Sequence, residues 1–381
     1  MAGSIGPLVQ ADEFFNHQIV ETHASVLQSD PSWTEKVCGA VFARDGSLAV
    51  GFGFGKYVNR NVVDGYGGLS LGVQQWTVRA SRALAANPNG VDVGPLRYEV
   101  LEPLKSVRVV LEPNDTQPIA YDLTLHGDLP CAVEEREDRR MGSGYRRSAD
   151  QIRYHQIGSA SGWIMVQGRR IEVTPDTWCM TRDHSWGLRP GVGLPATDLQ
   201  PDAMDTAQAR VLAVWNPVYF QRAEGGCFGF MQYLLHYAGE GWKHQKVQGH
   251  FEFADGRREG VADIVPALRF NPTNQRLLEG QFHLVMADGR KRVLTARALG
   301  DTGFHLGAGL YHGFDGKHHG QWRGSLVVEG EHFSDCSSPQ SVARLNQFRD
   351  CIVEMHDSET GATGWGNCQT WVQGEWPEAA L

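Results

Sequence analysis

Val37-Cys38-Gly39-Ala40-Val41-Phe42-Ala43, then Arg44-Asp45-Gly46-Ser47, then Leu48-Ala49-Val50-Gly51-Phe52-Gly53-Phe54: this stretch decides the fold class. Two runs rich in Val, Phe and Gly flank a short Asp-Gly turn, the pattern of an antiparallel hairpin. The same style continues outward. Strand-like runs fall at 69–78, 104–112, 119–126, 152–157, 162–173 and 178–182. Others follow at 210–220, 227–237, 245–253, 277–287, 292–299, 306–314, 324–328, 351–356 and 363–372. Asp255-Gly256, Asp288-Gly289 and Asp315-Gly316 mark tight turns among them. Helical spacing is confined to 11–29, where Phe14, Phe15, Ile19 and Val26 recur, and to 339–348, which opens on Pro339.

One break interrupts the strands. Residues 188–207 hold Pro190, Pro195, Pro201 and several Gly and Asp, the composition of a linker. It divides the chain into an N-terminal β-domain over 1–195 and a C-terminal one over 206–381. Gly162-Trp163-Ile164-Met165-Val166-Gln167-Gly168 and Gly324-Ser325-Leu326-Val327-Val328-Glu329-Gly330 share G-x-[IL]-x-V-x-G, an echo that duplication would leave. The fold expected is all-β, two antiparallel barrel-like domains in tandem.

The 381 residues carry 35 Lys and Arg against 44 Asp and Glu, a formal charge of -9, so there is no basic excess for a nucleic-acid backbone or an anionic lipid surface. Seven cysteines, none spaced C-x-x-C, give neither a disulfide framework nor a zinc knuckle. The first ten residues lack the basic start and apolar core of a secretory signal, and no apolar run reaches the roughly 18 residues of a membrane helix. These features lead us to expect a reduced, cytoplasmic protein. No dinucleotide fingerprint, phosphate loop or ligand-spaced Cys/His set occurs, so no cofactor and no metal are expected. The oligomeric state is not legible.

Period-two faces sort the candidate side chains. In Gly249-His250-Phe251-Glu252-Phe253 the rings share one face and His250 with Glu252 the other, so His250 is expected outward; His283 is expected outward on the same grounds. The 227–237 run is apolar on both faces: Phe228, Phe230, Gln232, Leu234 and His236 on one, Met231, Tyr233, Leu235 and Tyr237 on the other. A strand covered on both sides reads this way.

The densest chemistry is Arg182-Asp183-His184-Ser185-Trp186-Gly187-Leu188-Arg189, at the end of a strand where the domains would meet. Burial and an adjacent imidazole can tune a carboxyl as a proton donor or base, and Trp186 can face a developing cation. The alternative is a set of hydrogen bonds that fastens the junction. Tyr154, Gly162-Trp163, Val166, Gly168, Trp178 and then Asp183-His184-Ser185-Trp186-Gly187 resemble the hydroxyneurosporene synthase (carotenoid 1,2-hydratase) group of tandem lipocalin-like proteins. The resemblance implies two lipocalin-like barrels and a cofactor-free enzyme or binder of bulky apolar molecules. It also implies Asp183 and His184 as the acid–base pair and Trp186 as pocket wall. Tyr154, Trp163, Tyr219, Tyr233 and His236, on aromatic strands at or near the junction, complete the expected substrate-binding set.

Other signals are weaker. Gly51-Phe52-Gly53-Phe54-Gly55-Lys56 lacks phosphate-loop spacing and reads as a strand. His312, His318 and His319 surround a turn and are expected to face water, and the charged run 134–140 reads as a solvated loop. No G-x-S-x-G occurs. His356-Asp357 beside Trp365-Gly366 reads as structural. The function expected is cofactor-independent proton transfer on a terpenoid, steroid or polyketide-like substrate: a hydratase or dehydratase, isomerase or cyclase. A non-catalytic carrier of hydrophobic molecules is the alternative, and a carbohydrate-binding β-protein a third.

Overall fold

Alternating Val/Phe and Gly/Ala force the opening hairpin. Trp33–Ala43 pairs with Leu48–Tyr57, and Gly46 takes φ 77 in the turn, a conformation costly for residues with a Cβ. A computed structural model of the chain describes residues 8–18, 26, 28–84, 91–140, 145–199, 209–301, 303–311, 313–345 and 349–381. All named strand pairings among these residues are antiparallel and fall into two sheets. The first is a curled half-barrel, running in spatial order through Leu326–Phe333, Gln74–Ala83, Val62–Leu71, Leu48–Tyr57, Trp33–Ala43, Trp178–Leu188, Arg147–Val166, Ile119–Gly127, Ser106–Leu111 and Leu96–Glu102. The second runs Lys291–Ala298, Leu277–Met286, Arg258–Phe270, Trp242–Phe253, Cys227–Gly239, Arg210–Gln221, Thr363–Gln373 and Arg349–Asp357. Its first and last strands pair, Leu294 opposite Asp357, and close an eight-stranded barrel. The all-β, tandem barrel-like architecture expected from the sequence is the one observed.

Each sheet has its own core. Phe228, Phe230, Phe251, Phe282, Leu294 and Met355 fill the closed barrel; Val37, Val41, Phe52, Phe54, Trp76, Tyr121 and Leu123 fill the half-barrel. Each such side chain, fully buried, contributes about 1.5–3 kcal/mol. The opposite faces of the two sheets pack on each other. Ala40, Phe42, Ala49, Leu129, Ile157 and Cys179 meet Tyr219 and Ile352 there. A glycine makes this contact close: a Cβ on Gly51 would lie 2.5 Å from the ring of Phe304, which belongs to the second sheet.

Several local expectations change. The 11–29 helix is absent among the described residues: Gln10–Glu13 is a single 3-10 turn, and 19–25 and 27 lie outside the description. The 69–78 run is a hairpin, Val62–Leu71 and Gln74–Ala83, turned by Gly72 at φ 59. The 306–314 run begins as a 3-10 turn, Leu306–Gly309, packed on the half-barrel. Pro339–Leu345 is helical, and 346–348 lie outside the description. Both copies of the glycine echo fall in the first sheet, because Leu326–Phe333 crosses over to pair with Gln74–Ala83. The echo therefore does not relate one sheet to the other.

Candidate active site

The Trp178–Leu188 strand lies between Trp33–Ala43 and Arg147–Val166, and its alternation sends adjacent residues to opposite faces. Arg182, His184 and Trp186 turn into the hollow of the half-barrel. Thr181, Asp183 and Ser185 turn toward the second barrel. The expected Asp183–His184 pair is therefore split: the two side chains stand on opposite faces of one strand and cannot act as a directly bonded couple.

In the hollow, the segment 8–18 is held by buried ion pairs. Arg182 grips Glu13 through two bonds of 2.5 and 2.8 Å, and both are almost fully buried. Burial alone would raise the Glu13 carboxyl; the Arg182 guanidinium overcomes it and leaves the pKa lowered. Glu35 accepts from His17 Nδ1 at 2.5 Å and from His184 Nε2 at 3.1 Å, while the Tyr154 hydroxyl lies 3.2 Å from His184 Nδ1. Trp186 stacks on the His17 ring with centroids 3.6 Å apart. Burial works against the charge on His17, but the Glu35 and Asp12 carboxylates raise its pKa.

On the other face a cavity opens between the sheets. Cys38, Gln151, Arg153, Asp183 and Arg189 line it from the first; Trp215, Tyr233, Leu235, Tyr237, Gln369 and Trp371 line it from the second; Tyr311 and His319 cover it. Asp183 sits opposite Cys38 in strand register. Burial raises its pKa, and the Arg153 and Arg189 charges only partly offset this. Arg153 is held by Glu134 through bonds of 2.8 and 2.5 Å, and its guanidinium lies 5.2 Å from the Tyr233 ring centroid. The Tyr311 hydroxyl is 2.8 Å from Cys38 Sγ, and the Lys36 ammonium lies 4.0 Å over the Tyr311 ring. Behind Gln369 lies a second buried carboxyl, Asp350, which accepts a 3.2 Å bond from Gln369 Nε2. Burial pushes its pKa up to about 7, and the negative charge of Asp183 acts in the same direction.

Of the expected site residues, Asp183 and Tyr233 line the cavity. His184, Tyr154 and Trp186 are together, but in the hollow behind it. Tyr219 belongs to the apolar contact between the sheets. His236 shares the barrel-interior face of Leu234 and lies beside Trp376, with ring centroids 6.1 Å apart. Trp163 sits at the outer end of its strand under Arg170, 4.7 Å away. Sequence reading missed Arg153, Trp215, Trp371, Tyr311 and His319. The last was expected in water but is buried, 3.0 Å from the Tyr57 hydroxyl. The 134–140 run is a solvated loop only in part, at the exposed Glu135 and Arg136. Glu134 is buried between the sheets, and Glu137–Arg140 is a strand on Arg147–Val166. His250 and Glu252 do point out of their barrel, but outward means against the first sheet, where Glu252 is buried. His283 is exposed as expected, and Asp357 is a structural partner of Arg292.

Two groups of side chains bring imidazole nitrogens and a carboxylate oxygen within 4.8 Å of one another: His17, Glu35 and His184 in the hollow, and His155, His250 and Glu252 between the sheets. No helix among the described residues is long and apolar enough to cross a membrane.

A closed eight-stranded antiparallel barrel joined to a curled half-barrel, with a cavity between them, defines an all-β protein of tandem lipocalin-like architecture. The chain belongs to the family of unknown function DUF8625, whose model matches residues 8–375. None of the curated proteins matches its sequence. Among solved structures it is similar to the AttH candidate from Nitrosomonas europaea, at 14% identity and TM-score 0.53 over 89% of this chain and 92% of that one. It also aligns with kievitone hydratase from Nectria haematococca at 9% identity and TM-score 0.44, over 94% and 95% of the two chains. CghA aligns at 13% identity and TM-score 0.48, over 91% and 90%. What is shared with the Nitrosomonas protein, at that identity, is the fold.

Proposed function

We propose that the cavity between the sheets is the active site of a cofactor-independent enzyme acting by proton transfer on a bulky hydrophobic substrate. The reaction would be of hydratase or dehydratase, isomerase or cyclase type. The observation that carries this reading is Asp183: a carboxyl with raised pKa, set in a cavity walled by Trp215, Tyr233, Tyr237, Tyr311 and Trp371. A carboxyl whose pKa is raised by burial holds its proton more firmly than an ordinary aspartate; as the acid it can protonate an alkene or a leaving oxygen, and its conjugate base can take a proton from carbon. Aromatic faces stabilise the positive charge that such a step develops and exclude stray water. The Arg153 and Arg189 charges limit the upward shift. The Asp183-His184-Ser185-Trp186-Gly187 resemblance to the hydroxyneurosporene synthase group supports the same chemistry.

In this proposal His184, Tyr154 and Trp186 act from behind the sheet, by fixing the strand that presents Asp183. Substrate contact falls to Tyr233 with Trp215, Tyr237 and Trp371. The chain divides near 195–206 into two units, with Leu326–Phe333 lent back to the first.

Solvent deuterium reports proton transfer even when no net product accumulates. Purified protein, with no added cofactor, is incubated in D2O with a panel of terpenoid, steroid and polyketide-like alkenes and enones, and products are read by mass. Deuterium incorporation or turnover that Asp183→Asn abolishes is the expected result. Ligands that quench Trp fluorescence in both proteins, with no label taken up in either, would instead make the protein a carrier.

A further inference from the structure

We propose that His155, His250 and Glu252 form a binding site for one divalent transition-metal ion of the Zn2+ class, a staple between the two sheets separate from the Asp183 cavity. The three residues come from two strands on opposite sides of the junction. His155 lies on Arg147–Val166 of the half-barrel; His250 and Glu252, two apart on Trp242–Phe253, share the face that the barrel turns toward it. His155 Nε2 and His250 Nε2 stand 2.7 and 2.6 Å from one carboxylate oxygen, Glu252 Oε1. All three ligand atoms lie within 4.8 Å of one another.

The second oxygen is the decisive feature. Glu252 Oε2 is buried and has no hydrogen-bond partner among the described residues, in a residue only 3% exposed. Two N–H groups crowd one oxygen while its twin is left with nothing, and a buried unpaired acceptor of a charged group is costly. An ion between the two nitrogens and the carboxylate uses donors that protons alone leave unsatisfied. With Zn–N near 2.0–2.1 Å, Zn–O near 2.0–2.2 Å and tetrahedral angles, the nitrogens must retreat from Oε1 by roughly 0.7 Å.

The surroundings fit a metal-bound imidazole. His155 Nδ1 is 3.1 Å from Glu134 Oε1, and Trp215 Nε1 donates to the same oxygen at 3.1 Å. A carboxylate on the far nitrogen of a ligating histidine fixes its tautomer and raises its basicity. Two imidazoles and one carboxylate suit Zn2+, Co2+ or Ni2+ and not Mg2+ or Ca2+, which take oxygen ligands. His250 is part-exposed at 18%, which leaves a way in and room for a water as fourth ligand. The other group, His17, Glu35 and His184, lacks this signature. Both Glu35 oxygens accept bonds, and both ring nitrogens of each histidine are engaged.

The full chain, washed with chelator, is titrated with ZnCl2 by calorimetry and with CoCl2 by visible absorption. One equivalent of Zn2+ should bind with micromolar or tighter affinity, and the Co2+ form should show the intense d–d bands of a four-coordinate ion. His250→Gln, the most exposed ligand and the least disruptive to fold, should weaken Zn2+ binding at least tenfold. Glu134→Gln, which touches the metal ligands only through His155, should weaken it about 10–100-fold, while also loosening Arg153. Zn2+ should also raise the melting temperature of the wild type and leave that of His250→Gln unchanged. Binding no tighter than millimolar, weak six-coordinate Co2+ bands, or equal affinity in folded His250→Gln would each overturn the proposal. So would a site lost on His17→Gln but kept in His250→Gln. These readouts do not involve turnover, so failure here leaves the Asp183 reading intact, and failure there leaves this one.

Discussion

The two faces of the Trp178–Leu188 strand carry the same residue types and use them differently. Facing the hollow, Arg182 and His184 are bound to buried carboxylates, Glu13 and Glu35, whose pKa values are lowered. Facing the second barrel, Asp183 has no hydrogen-bonded basic partner among the described residues, and its pKa is raised. Desolvation acts on all three carboxyls; what differs is whether a cation lies within hydrogen-bond reach. A satisfied carboxylate fastens. An unsatisfied one, beside aromatic walls, is what the proposed proton transfer needs.

Substitutions on the two faces should therefore separate rate from stability. The largest effect expected is on rate. Asp183→Asn keeps the shape and removes the transferable proton, so turnover should fall about 10²–10⁴-fold while the denaturation midpoint moves little. A normal rate in a folded Asp183→Asn protein would falsify the assignment. On the other face, Arg182→Met leaves Glu13 buried without its counter-charge. Breaking a buried pair in this way costs about 3–5 kcal/mol, read as a lower urea midpoint. Unchanged stability there would mean that the 8–18 segment is not held as described.

Asp350 sharpens the contrast by pH. Its folded pKa, about 7, lies above the 3.8 of an ordinary aspartate, so between these values the folded state holds a proton that the unfolded state releases. Its contribution to stability is thus intact at acid pH and is lost as pH rises toward 7, by on the order of 2–4 kcal/mol. Asp350→Asn should flatten that decline and be the more stable protein at pH 8. Parallel pH profiles for the two proteins would count against it. His184→Gln keeps one of two hydrogen bonds, and about 1–2 kcal/mol of stability should go, with the chemical step nearly untouched. A rate loss as large as that of Asp183→Asn would return His184 to the chemistry. Trp163→Ala, far from the cavity, should change stability by under about 1 kcal/mol and turnover not at all, checked by the same two assays.

Much of this arrangement was legible in residues alone. The Asp-Gly turns and alternating runs specified antiparallel β-structure, and the two-sided apolarity of Cys227–Gly239 announced a strand covered on both faces, as Phe230 and Tyr233 now show. Asp183, which lines the cavity, stood out because a carboxyl beside imidazole and arginine at a junction is chemically distinctive. Its separation from His184 was legible too, because period two sends neighbours apart, but the motif's contiguity hid it. Arg153, Tyr311 and Trp371 had no comparable signal; each is an ordinary residue until another strand is laid opposite.

The sequence by itself determined the strands, their turns and which side chains share a face, because these follow from local sterics and alternation over a few residues. Tertiary structure decided what each face meets. It sent Leu326–Phe333 back to the first sheet, although that strand lies far beyond the Pro-rich break. It also buried Glu134 and His319, which read as solvated, and brought His155 within 2.7 Å of Glu252 across 97 positions of chain. Such contacts depend on burying two large sheet faces together. The free energy of that burial is spread over many apolar residues, and no short motif records it.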